Sequence, residues 1–210
     1  MIPSLKLLVS VLLISMCTLA CPPCTPDAAQ ALQTASSIPK KSKENLSITQ
    51  QSDAIRQHVT TTIIPMLDIE AMVVQVIGRY HWTQARAADK ATFHQLFAKL
   101  ISKEYTNNLL KQQNSIHFTP QRHQGSKLYS QVNATIKIDD EAQKLKFYLR
   151  CDCNHSKQGQ WKIYDITQEQ ISYLDQYRLQ FAATVRNQGL RGVNKKLKNM
   201  PAESQPKPNI

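Results

Sequence analysis

Residues 128–151 read LYSQVNATIKIDDEAQKLKFYLRC, and most of their apolar side chains recur at every second position. Leu128, Val132, Ala134, Ile136 and Ile138 fall mostly on one face of an extended chain, and Leu145, Phe147, Leu149 and Cys151 share one face of the next. Successive side chains on a strand point to opposite sides, so this period predicts two strands with one buried face each. Asp139-Asp140 begins the turn between them. Trp161-Lys162-Ile163-Tyr164-Asp165-Ile166 gives another strand after a polar turn containing Gly159, and Ile116–His123 gives a shorter first one. The centre of the fold is an antiparallel meander that needs an apolar cover.

The cover lies on either side in the sequence. From Thr49 the period is helical, with Ile55, Val59 and Ile63 four residues apart on one face. Pro65 ends that helix, because it lacks an N–H and disfavours helical geometry at Ile64. Asp68 caps a second helix whose apolar side is Met72, Val73, Val76 and Ile77, and Gly78 stops it. A longer helix over about Ala88–Gln112 carries Phe93, Leu96, Phe97, Leu100, Ile101, Tyr105, Leu109 and Leu110 as a broad stripe. A last helix starts near Thr167 or Gln168, with Ile171, Leu174, Arg178, Phe181 and Val185 on its face and Arg191, Lys195, Lys196 and Lys198 at its basic end. The order predicts an α+β fold, with helices packed on one face of a curved antiparallel sheet and enclosing an apolar cavity where they stand off from it.

The folded domain spans about residues 50–200. Residues 1–20, MIPSLKLLVSVLLISMCTLA, place Lys6 before an apolar run from Leu7 to Met16 that is too short to cross a bilayer. This is the pattern of a signal peptide, with Thr18-Leu19-Ala20 as the cleavage triplet. Leu19-Ala20-Cys21 also reads as a lipoprotein box with Cys21 acylated, although Thr18 stands where an aliphatic residue is usual. Residues 21–49, rich in Pro, Ser, Thr, Gln and Ala, read as a flexible linker, and 201–210, with Pro201, Pro206 and Pro208, as a disordered tail.

The chain has 210 residues, 26 Lys+Arg and 15 Asp+Glu, for a net charge of +11. Such a balance suits an anionic partner, either nucleic acid or a lipid surface, and the secretory leader sets nucleic acid aside. Five glycines, none grouped as a phosphate cradle, argue against Rossmann and P-loop chemistry. Histidines 58, 81, 94, 117, 123 and 155 share no metal-ligand spacing, and no Gly-x-Ser-x-Gly elbow is present. Tyr164 and Asp165 are the one pair that an enzyme on a cone-shaped α+β scaffold could use. The dense cluster Cys151-Asp152-Cys153-Asn154-His155 leaves three readings open: a disulfide between Cys151 and Cys153 (alone or beside Cys21–Cys24), free thiols, or part of a metal site.

Three segments together resemble one family. They are Ile64-Pro65-Met66-Leu67-Asp68 with Met72, Val76-Ile77-Gly78-Arg79-Tyr80 and Trp82; then Phe93, Phe97, Leu100, Ile101, Tyr105 and Leu109; then Trp161–Ile166, Ile171-Ser172 and Tyr177-Arg178-Leu179-Gln180-Phe181. This looks like the MlaC-type phospholipid carriers, the toluene-tolerance auxiliary family, over about residues 50–198. The resemblance implies a periplasmic shuttle, without cofactor or catalysis, that maintains outer-membrane lipid asymmetry. Its cargo would be a glycerophospholipid, and its partners an outer-membrane lipoprotein–porin complex and the lipid-binding subunit of an inner-membrane ABC transporter. A monomer is expected, with no nucleic acid and no metal. The alternative is a small-molecule enzyme or binding protein on a similar scaffold.

Shielding two acyl chains of roughly 30 methylenes together is worth on the order of 24 kcal/mol, more than a shallow groove supplies. The cavity is expected to be lined by Val73, Val76, Ile77, Phe97, Ile101, Tyr105, Val132, Ile136, Phe147, Leu149, Ile163 and Phe181. Arg79, following Gly78, is expected at the mouth to meet the lipid phosphate or an acidic partner surface, and Arg178 to be a structural ion-pair or capping residue, with Asp165 as a candidate partner.

Overall fold

Strands β1 (Ile116–Thr119), β2 (Tyr129–Ile138), β3 (Glu141–Asp152), β4 (Gln160–Gln168) and β5 (Ile171–Ser172) pair in sequential order in one antiparallel sheet. They belong to a computed structural model that describes residues 24, 27–36, 48–111, 116–119, 128–138, 141–153 and 159–200. The expected leader over 1–20 and tail over 201–210 lie outside the described residues. Register follows the alternation: Val132 is opposite Phe147, and Leu149 opposite Ile163. Val132, Ala134, Leu145, Phe147, Leu149 and Ile163 are therefore buried on one face. A bulge between Tyr148 and Leu149 interrupts the β3–β4 register and bends the strand there.

The helices cover that face. Helix α2 (Ile48–His58) runs into a wide turn over Val59–Ile63 and a tight one over Ile64–Met66, where Pro65 ends it. Helix α3 (Ile69–Ile77) starts at Asp68, whose Oδ1 accepts from Ala71 N at 3.0 Å. It ends at Gly78, whose φ of 83° a side chain would strain. A short helix α4 (Arg79–Gln84) and the long α5 (Ala87–Lys111) follow. Helix α6 (Tyr173–Lys198) closes the chain and kinks at Gly189, φ 64°. Phe93 and Phe97 of α5 meet Tyr177 and Phe181 of α6 in a four-ring cluster, with centroids 5.5–6.3 Å apart. Among the described residues no helix is long and apolar enough to cross a membrane.

Three expectations need correction. The segment 21–49 is more than a flexible linker, because Ala28–Ser36 form a helix, α1. Asp27 Oδ1 accepts from Gln30 N at 2.9 Å, and Ala28, Ala29 and Leu32 are buried in the main core. Ala35 joins Ile55, Val59 and Ile63 in a smaller cluster. The polar composition concealed apolar positions at helical spacing.

The last helix starts at Tyr173, not at Thr167 or Gln168: the chain continues as β4, turns at Glu169 and Gln170 with positive φ, and Ser172 Oγ then caps α6 by accepting from Asp175 N at 3.2 Å. Ile171, placed on the helix face by its spacing, is 57% exposed on edge strand β5.

The third concerns Arg178. It is exposed, and Asp165 takes its hydrogen bonds from Ser172 Oγ at 3.0 Å and Ile166 N at 2.8 Å. One hundred degrees of rotation separate Arg178 from the buried Tyr177, enough to turn it to solvent.

Candidate functional site

The expected lining residues converge. Val73, Val76 and Ile77 of α3 are buried and belong to the main apolar cluster. Phe97 of α5 and Phe181 of α6 have no exposed surface, and Ile101 packs against the same cluster. Val132, Phe147, Leu149 and Ile163 meet them from the sheet. One strand face and one stripe from each of three helices thus share a single apolar interior, which the periods of 2 and 3.6 require. The side chains of Tyr105 and Ile136 lie outside the described residues; Ile136 takes its place in β2 opposite Ile116 and Gln143. Arg79 is exposed as the first residue of α4, outside that interior.

Polar groups at the margin fix the geometry. Leu67 bridges Ile163 in parallel, and Asp68 N donates to Ile163 O at 2.8 Å, so the start of α3 is stitched to β4. Asp68 is buried; while Oδ1 caps α3, Oδ2 accepts from Arg150 Nε on β3. Asp68→Ala removes the cap and leaves Arg150 without its partner. A loss of about 2 kcal/mol is expected, read as a lower denaturation midpoint.

Between α5 and α6, Tyr177 OH donates to Glu104 Oε2, while Glu104 Oε1 is buried without a hydrogen-bond partner among the described residues. Burial pushes the Glu104 carboxyl up to about 7, against the opposing hydrogen bond from Tyr177. Burial first, and Glu104 second, also raise the Tyr177 phenol. Nearby, Tyr173 OH donates to Gln168 Oε1, and Gln168 Nε2 to Gln143 Oε1 at 2.7 Å. Sequence reading missed these links because each joins residues on different elements.

Two candidate constellations do not assemble. Tyr164 and Asp165, at the bulge where the register of β4 shifts, enter different surroundings: Tyr164 packs against Tyr129 and Tyr148, while Asp165 is buried and accepts from Ser172 Oγ. Cys151 bonds Cys24, with Cα atoms 5.7 Å apart, rather than Cys153. Cysteines two apart on an extended strand carry parallel Cβ vectors, which keep their sulfurs from converging. Cys153 is disulfide-bonded as well, so both thiolates are withdrawn from metal ligation.

Residues 32–199 match the family described as MlaC protein. The chain is 22% identical over 144 residues to the intermembrane phospholipid transport system binding protein MlaC of Haemophilus influenzae. That stretch covers 68% of this chain and 66% of the relative, just under two thirds of the latter's length. The fold is similar to that of a phospholipid-binding protein from Ralstonia solanacearum solved in complex with a phospholipid, with a TM-score of 0.68 and 22% identity, over 82% of this chain and 95% of that one.

Proposed function

The chain belongs to the MlaC family, and from that premise we propose that it is a periplasmic phospholipid carrier. It would shuttle a glycerophospholipid between the outer membrane and an inner-membrane ABC transporter, and so maintain outer-membrane lipid asymmetry. The observation that carries this reading is the convergence of a sheet face and three helix stripes on one apolar interior, in a fold shared with a protein solved with phospholipid. Acyl chains would occupy the space between sheet and helices, against Val73, Val76, Ile77, Phe97, Ile101, Tyr105, Val132, Ile136, Phe147, Leu149, Ile163 and Phe181. Arg79, exposed at the start of α4, would meet the phosphate at the mouth. Burial in the protein and burial in a bilayer are worth nearly the same per methylene, so transfer between them stays close to balanced. No bond is made or broken, and no catalytic group or cofactor is required.

The disulfide Cys24–Cys151 supports an oxidising compartment. On this reading the protein acts as a monomer. It meets an outer-membrane lipoprotein–porin complex at one end of its route and the transporter's lipid-binding subunit at the other.

Protein purified from periplasm is expected to yield phospholipid on organic extraction, and to show a bound lipid mass by native mass spectrometry. Protein that is empty and takes up no labelled lipid from vesicles would refute the carrier. The enzyme alternative would need Asp165 in the reaction; unchanged lipid binding in Asp165→Asn speaks for the carrier.

A further inference from the structure

The sheet has a second face, opposite the apolar interior. It presents Tyr129, Gln131, Asn133 and Thr135 from β2, Lys144, Lys146, Tyr148 and Arg150 from β3, and Lys162 and Tyr164 from β4. These side chains are half-buried or exposed, whereas Asp165 and Thr167, opposite Tyr148 and Lys146 in the register, are buried. Its tyrosines form one group: the Tyr164 ring meets Tyr129 edge-on at 6.3 Å and Tyr148 at 6.1 Å, and Tyr129 is 54% exposed. Cations surround them. Lys144 is exposed and Lys146 half-buried, both on the alternation that carries Tyr148. Lys162 Nζ donates to Pro65 O and keeps two further N–H groups. Arg150 is engaged by the buried Asp68. Among the described residues Asp152, near the end of β3, is the acidic side chain on the face that is not buried, and Asp165, opposite Tyr148, is buried.

We propose that this face docks flat on an anionic phospholipid bilayer, with Lys144, Lys146 and Lys162 against lipid phosphates and the tyrosine group at headgroup depth. Three observations favour a bilayer over an acidic protein. The cations of this face not paired with a carboxylate among the described residues are lysines, which protein interfaces tend to exclude, whereas a lysine meets phosphate as a point charge without a matched fork. The aromatic residues are tyrosines, with an apolar body and a polar tip, the type that settles at the membrane–water interface. The groups spread over three strands of one sheet face rather than lining a cleft, so they fit a surface. The docking goes beyond the carrier reading and stands without it, since it needs no lipid inside the protein.

The test is co-flotation of soluble protein, its mass confirming that no acyl chain is attached, with vesicles of phosphatidylcholine alone or mixed with phosphatidylglycerol. Binding to the mixed vesicles is expected at low salt and should fall steeply toward about 0.15 M, where screening shortens to about 8 Å. Each lysine is worth about fivefold in partitioning, so Lys144→Gln should cost about fivefold and the double reversal Lys144→Glu, Lys146→Glu at least tenfold. Arg178→Glu with Arg186→Glu, on the exposed side of α6, should leave binding within about twofold, apart from the long-range share of net charge. Equal flotation with both vesicle types points to cargo uptake and overturns the docking. So does an equal loss in the α6 variant, or capture by polyglutamate without capture by vesicles. Lys144→Gln changes one exposed side chain, so it reads the lysine contribution even where the double reversal misfolds.

Discussion

Raising the pH from 4.5 through 7 is expected to destabilise the protein by about 3 kcal/mol, and Glu104→Gln is expected to remove most of that loss. The carboxyl sits in the α5–α6 seam beyond the Phe93–Phe97–Tyr177–Phe181 rings, and burial raises it from an ordinary value of 4.5 to about 7. Below 4.5 both the folded and the unfolded chain hold the proton, and stability is flat in this group. Between 4.5 and 7 the unfolded chain has released its proton and the folded one has not, so stability falls as pH rises. Above that window both are ionised and the full difference, roughly 1.4 kcal/mol per unit, has been lost. The structural cause is the unmatched Oε1: Tyr177 satisfies the other oxygen, and among the described residues nothing donates to this one.

Glu104→Gln keeps an acceptor for Tyr177 and carries no charge, so its urea midpoint should be flatter with pH and higher than wild type at pH 8. Asp165, also raised by burial, acts with the same sign and leaves a residual slope. A wild-type midpoint that does not fall across the window would mean that the seam opens to water around Glu104 and that the burial argument is wrong.

What the sequence discloses and what it hides divide along the range of the interactions. The meander was legible because Val132, Ala134, Leu145, Phe147 and Leu149 obey a period set by one strand's own geometry. The cap at Asp68, the stop at Gly78 and the break at Pro65 are likewise local, each decided within a few residues. Helix α1 was hidden because alanine contributes little to a hydropathy pattern, although Ala28, Ala29 and Ala35 are buried. The start of α6 was misplaced because Ile171 and Leu174 keep helical spacing through a turn whose left-handed residues, Glu169 and Gln170, announce nothing in their composition. Most of the residues expected to line a cavity share one buried apolar cluster, which the stripes alone bring together. The Glu104–Tyr177 pair, separated by 73 residues, and the Asp68–Arg150 pair, by 82, leave no periodic trace.

Replacing both Cys24 and Cys151 by serine is expected to cost the most of any change considered, up to about 5 kcal/mol. The two residues are 127 positions apart, and closing a loop of that length removes about this much conformational free energy from the unfolded chain. Native bridges measured elsewhere return between about 2 and 5 kcal/mol, so the lower figure is the least effect that fits the argument.

The bridge also decides where the loss is felt. Cys24 stands four residues before Ala28, so the link to β3 holds the start of α1 against the sheet, where Ala28, Ala29 and Leu32 fill the core. A nine-residue helix is too short to persist without that anchorage. Its amides should therefore exchange with solvent orders of magnitude faster in the Cys24→Ser, Cys151→Ser protein, while β3 and β4 retain protection. Serine substitution is cleaner than added reductant, because Cys153 is disulfide-bonded too and reduction would open both links. An unchanged denaturation midpoint together with unchanged α1 exchange would show that the small buried side chains hold the helix by packing alone, and that the covalent link adds nothing to the folded state.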